Sequence, residues 1–150
     1  MKQVKAMLLV VSCTIVMAAC IKHKDATPDD SNSIVGAWEL SSSQSSILPA
    51  TNYPSGSGNM VVFTKNTYTV YVNHQVSKSG SYTTEADAGF EQNVCLVDTD
   101  GKFSNRIIYD GDTTPRIFIA VDGGTLSIAS GCFAIDGGQE QVYKKIQQID

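Results

Sequence analysis

The chain has 150 residues, 11 basic and 15 acidic side chains, a formal net charge of −4 and only two histidines. This acidic balance, with no basic cluster in the body of the chain, excludes nucleic acid as a partner and charge-driven attachment to anionic lipid. Two histidines and four cysteines leave little material for a metal centre, and none is expected.

The first element is a targeting segment. Lys2 and Lys5 form a short basic start, Ala6 to Ala19 is almost wholly apolar, and the small pair Ala18-Ala19 leads into Cys20. That is a secretory signal with a small-residue cleavage site. The cysteine in the next position resembles the lipobox of bacterial lipoproteins. The resemblance implies removal of residues 1–19 and acylation of Cys20. Two rival readings fare worse. A membrane span needs about 20 apolar residues, against 14 here. Cleavage before Cys13 would leave only Ala6 to Val11 as the apolar region, shorter than the roughly 7–15 residues such signals use. A lipoprotein cysteine carries two or three acyl chains, enough for stable anchoring.

The processed chain would keep nine basic and 15 acidic residues, a net charge near −6. Residues 20–33 read as a lipidated tether, polar and broken by Pro28, and residues 34–150 as one domain. The 13 residues from Ile21 to Ser33 reach ~45 Å when extended. With Cys13 removed and Cys20 acylated, Cys95 and Cys132 remain, in a compartment that permits disulfides. They form either a bridge or two buried thiols.

From Ile34 onward the pattern is β. Strands are expected at Ile34–Leu40, Asn59–Lys65, Thr67–Asn73, Lys78–Thr84, Asn93–Asp98, Lys102–Tyr109, Arg116–Val121, Thr125–Ser130 and Glu140–Gln147. Asp100-Gly101, Asp110-Gly111, Gly123-Gly124 and Gly137-Gly138 supply the positive φ of tight turns. Ile117, Ile119 and Val121 alternate with Phe118 and Ala120, so that strand is apolar on both faces and reads as central. Eight or nine short strands joined by short turns imply an all-β, up-and-down barrel; an immunoglobulin-like sandwich is the alternative. Ser41 to Gly58 is the exception, a long Ser/Gly-rich connection carrying Ile47, Leu48 and Tyr53, read either as a lid or as a disordered insertion.

Gly36-Ala-Trp38, on the first strand, resembles the Gly-x-Trp motif of lipocalins, and Trp38 is the one tryptophan of the chain. Phe63-Thr-Lys-Asn-Thr-Tyr68 and Ser79-Gly-Ser-Tyr82 resemble hairpin patterns of lipocalin-like lipoproteins common in Bacteroides-type bacteria. The resemblance covers Ile34 to Ile149. It implies an up-and-down barrel partly covered by the first long loop, with Gly36 and Trp38 structural at the closed end and a last-strand cation over the indole. The family's arginine there has no counterpart, and Lys144 and Lys145 stand nearby.

No catalytic residues are expected. His74 lies in a turn with no Gly-x-Ser-x-Gly elbow near it, and Asp98-Thr-Asp100-Gly101 lacks the later ligands of a calcium loop. Two functional readings follow. In the first, a small apolar molecule is held in the lumen by Phe63, Tyr68, Val70, Tyr82, Tyr109 and Phe118, beneath Ile47, Leu48 and Tyr53. In the second, a filled barrel presents its loops to an envelope or host protein. Neither needs a cofactor. Ile21, in place of an aspartate after Cys20, favours the outer membrane.

Overall fold

The computed structural model describes residues 32–146; the signal, Cys20 and most of the tether lie outside them. The strands are β1 (Gly36–Ser45), β2 (Thr51–Asn52), β3 (Met60–Phe63), β4 (Thr67–Val72), β5 (Gln75–Ala86), β6 (Asn105–Tyr109), β7 (Asp112–Asp122), β8 (Thr125–Ser130) and β9 (Gln139–Lys145), with a short α-helix, α1 (Phe90–Val94), and a 3-10 turn at Phe133–Ile135. β1 and β3 to β9 follow one another antiparallel around the sheet, and β9 closes on β1 from Trp38↔Lys145 to Ser45↔Gln139. This is a closed eight-stranded antiparallel barrel with β2 as an extra strand, and closure is what removes the long sheet edges. The sandwich alternative is thereby overturned.

Alternation builds the core. Trp38 and Leu40 on β1, Val61 and Phe63 on β3, Tyr68 on β4, Tyr82 on β5, Ile107 on β6, Ile119 on β7, Leu126 on β8 and Tyr143 on β9 form one buried cluster inside the barrel. Asp110 and Gly111, and Gly123 and Gly124, adopt the positive φ expected of their turns. Gly137 and Gly138 do not. Positive φ near that connection falls on Gly131 and Asp136, and Gly138 is instead required by contact, since a Cβ there would lie 2.3 Å from the Phe133 ring.

The barrel has two unlike ends. The described chain enters where β1 begins, and the β3–β4, β5–β6 and β7–β8 connections lie at this entry end. The other connections, including the β1–β2 loop and the β4–β5 turn at Asn73-His74, lie at the far end.

Two strand assignments are corrected. Ser41–Gly58 is not a strandless loop, because β1 runs on to Ser45. Ser42 and Ser43 pair with Val142 and Gln141 of β9 on one side and with Asn52 and Thr51 of β2 on the other. Serines satisfy their backbone in the ladder as well as valines do, but their small polar side chains hide the strand from a hydrophobicity pattern. Asn93–Asp98 is not a strand either. It overlaps α1, whose Phe90 and Val94, four residues apart on one helix face, are buried against Phe118 and Ala120 of β7 and Ala129 of β8. Cys95 ends the helix in the left-handed conformation.

The helix belongs to an excursion from Asp87 to Ser104 that leaves the entry end, lies on the outer wall and returns. Its foot is closed by the Asp87 N–H donating to the Ser104 carbonyl at 3.0 Å, and a Cys95–Cys132 disulfide ties it beyond the end of β8. Arg106 faces outward and ties Glu85 to Asp87, with Nη2 2.5 Å from Glu85 Oε1 and Nε 3.4 Å from Asp87 Oδ2. Arg116 Nη1 meets the same Asp87 oxygen at 3.4 Å. The turn at Asp98 uses its carboxylate to accept the N–H groups of Lys102 and Phe103 at 3.1 and 2.8 Å.

Candidate functional site: the lumen and its two ends

The lumen is where sequence places a ligand, and side chains of the chain itself occupy it. Of the six expected lining residues, Phe63, Tyr68, Val70, Tyr82 and Tyr109 do come together. Phe63 meets Tyr82 edge-on with centroids 5.1 Å apart, and Tyr68 meets Tyr109 at 4.6 Å. Phe118 is a correction. It points outward into the cluster beneath α1, 5.5 Å from the Phe90 ring. Both faces of β7 are apolar, so its pattern alone cannot say which face looks inward. Tyr143 and Leu126 complete the plug and were missed. Tyr143 shares its face of β9 with the polar Gln141 and Lys145, which masks the alternation.

The tyrosine hydroxyls are used internally. Tyr82 donates to the Thr64 carbonyl at 2.8 Å, Tyr143 to Gln141 Oε1 at 3.1 Å, and Tyr68 to Asp110 Oδ2 at 2.8 Å. Burial pushes the Tyr143 phenol up to about 12, with Tyr53 adding to the rise. Tyr109 is driven higher still by burial, then by Tyr143, Tyr68 and Tyr82. Tyr143 and Tyr109 are neutral packing groups at physiological pH.

Asp110, in the turn between β6 and β7, ties that turn to β4 and β5. Its carboxylate takes the Tyr68 hydroxyl and the Ser81 N–H, each at 2.8 Å, with Lys78 Nζ at 3.6 Å. The Tyr68 hydrogen bond first, then the Ser81 N–H, holds its acidity below the ordinary 3.8. Gly80 makes room, since a Cβ there would lie 2.0 Å from Asp110 Oδ1.

At the entry end, Trp38 is fully buried, and its Nε1 donates to the Ile34 carbonyl at 2.7 Å. Lys145 supplies the cation over the indole, Nζ 5.5 Å from the ring centroid. Gly36 holds φ +141°, a conformation reserved for glycine.

The expected lid does not cover the lumen. Ile47 and Leu48 are 66% and 65% exposed at the tip of the β1–β2 loop. Tyr53 alone turns in, packs on the core and hydrogen-bonds Ser43 Oγ at 3.2 Å. The Ser46 N–H donates to the Gly138 carbonyl at 3.0 Å, joining this loop to the β8–β9 connection, which carries Ile135, 77% exposed. The disulfide brings the Cys95 segment, with exposed Leu96 and Val97, to the same connection. Three loops with apolar tips are thus held together at the far end, while exposed large apolar residues at the entry end are only Val35 and Ile146 among the described residues. Also among the described residues, no group of three or more histidine, cysteine or acidic side chains could hold a metal. No protein-family model matches the chain, and neither a curated protein nor a solved structure is significantly similar to it.

Proposed function

We propose that this is a lipid-anchored envelope protein, acylated at Cys20 and held at the outer membrane, whose filled barrel presents its far-end loops to a protein partner. The observation that carries this reading is the plugged lumen: Trp38, Phe63, Tyr68, Tyr82 and Tyr143 occupy the space a carrier would leave for cargo. An eight-stranded barrel has an interior that side chains can fill or that holds one small ligand, and here side chains fill the part around Phe63, Tyr68, Tyr82 and Tyr143. Presentation is supported by polarity along the barrel axis. The tether joins at the entry end, so the loops bearing Ile47, Leu48, Val97 and Ile135 are directed away from the anchor. Exposed apolar side chains on rigidly tied loops suit a protein surface.

A photo-crosslinking residue at Leu48 in the full-length protein, expressed in its own cells, should trap one discrete protein that the same residue at Lys65, at the entry end, does not. Identical crosslinks from both positions would count against far-end presentation. Native mass spectrometry of the mature protein tests the plug. A small molecule that co-purifies and protects the lumen tyrosines would restore the carrier reading. Loss of acyl mass in Cys20→Ser checks the anchor.

A further inference from the structure

The plug does not extend the full height of the barrel. Toward the entry end the inward positions of β5 and β6 turn polar, Tyr82 being followed by Thr84 and Ile107 preceded by Asn105, while Ile119 of β7 is followed by the apolar Val121. Below this level a cavity of about 490 Å³ opens. Its floor is Ile34, Ile119 and Val121, all packed on the core. Asn32, Ser33, Thr84, Lys102, Ser104 and Asn105 also line it.

We propose that this vestibule binds a small hydroxylated carboxylate, such as a uronic acid or a sugar acid. Three observations carry the assignment. The volume falls in the range of small-molecule sites, roughly 300–1,000 Å³. The lining carries one cation and no carboxylate, although the described chain is rich in acids, so the site attracts an anion where most of the surface would repel one. Around Lys102, the hydroxyls of Ser33, Thr84 and Ser104 and the amide of Asn105 can each give and accept hydrogen bonds, which suits several hydroxyl groups on one molecule. The apolar floor takes the ligand's C–H face. The Asn105 amide already donates to Ser104 Oγ at 3.2 Å, which orients its carbonyl oxygen as an acceptor. Lys102 is positioned over the Phe103 ring, Nζ 4.8 Å from the centroid.

The site is distinct from the tyrosine-lined lumen and lies at the opposite end from the loops proposed to meet a partner, so it stands or falls independently of that reading. The chain also carries its own reporter. Ile34 lines the cavity and accepts the hydrogen bond of Trp38, the single tryptophan.

The test is titration of the full chain in detergent with D-glucuronate, D-glucose and acetate, followed by Trp38 fluorescence and amide NMR shifts. Glucuronate should give a saturable change, with shifts centred on Thr84, Ser104, Asn105 and Val121, at least tenfold tighter than glucose or acetate. Lys102→Met, a surface change, should weaken it tenfold or more, and Asn105→Asp, which sets a carboxylate in the site, should abolish it while leaving the thermal midpoint within a few degrees. No saturable response to glucuronate, shifts centred on the far-end loops, or equal affinity in Lys102→Met would each overturn the proposal.

Discussion

Removing the disulfide is the perturbation whose effect can be worked out most directly. The Cys95–Cys132 bridge closes a loop of 37 residues. In the chain-entropy treatment a loop of that length restricts the unfolded chain by about 4 kcal/mol. A domain of this size has a total stability of about 5–15 kcal/mol, so the bridge accounts for a large share. The folded state has other means of holding the excursion: Phe90, Val94 and Phe103 are buried on β7 and β8, and Asp87 is tied to Ser104, Arg106 and Arg116. Cys95→Ala/Cys132→Ala should therefore keep its native near-ultraviolet spectrum while losing about 4 kcal/mol in guanidinium denaturation and roughly 15 °C in midpoint. Because the unfolded chain becomes more expanded, the denaturant slope should rise as well. A loss below about 1 kcal/mol, or a collapse of the tertiary signal, would refute the reasoning. The first would mean that the bridge constrains little; the second, that it holds the barrel wall and not merely the unfolded chain.

Phe118→Ala should cost about 3–5 kcal/mol, and its chemical-shift changes should fall on α1 and Phe103 and spare the lumen tyrosines. Gly80→Ala should displace the Asp110 carboxylate from the Tyr68 hydroxyl and the Ser81 N–H and lower the denaturation midpoint; in Asp110→Ala the same glycine change should cost much less, which a double-mutant cycle would measure. Alkaline stability should fall from pH 10 upward. Tyr143 ionises near 10 when unfolded and near 12 when folded, so its contribution is present below pH 10 and lost by pH 12, a change of roughly 3 kcal/mol to which Tyr109 adds. At the acid end the folded acidity of Asp110 lies below 3.8, so its contribution is present above that pH and disappears as pH falls through the lowered value. Denaturation midpoints across the pH range test both limbs.

How legible the fold was can be judged element by element. Thr67 to Val72, Ile117 to Val121 and Thr125 to Ser130 were readable because their alternation and the glycine turns between them are local properties. The Ser-rich half of β1 was not, because its strand state comes from β9 and β2 on its two sides and from nothing in its own side chains. For α1 the signal existed, Phe90 and Val94 at helical spacing, but the apolar run Val94 to Val97 reads as strand until the outer face of β7 is known to need covering. Of the lumen tyrosines, Tyr68, Tyr82 and Tyr109 were readable, and Tyr143 was not, because Gln141 and Lys145 on its face of β9 mask the alternation. The vestibule residues Thr84 and Asn105 were missed, since a polar side chain at an inward position looks like any surface residue of a strand.

By itself, the sequence determined the class of the fold, the apolar positions available to a core and the places where the chain turns. These depend on residue type and on spacings of two to four residues. Only the tertiary structure decided that β9 closes on β1, that Phe118 faces out and not in, that Cys95 reaches Cys132, and that the lumen is plugged above and open below. Each of those depends on which face of a strand meets which neighbour, and a one-residue change of register reverses that face without altering the local pattern.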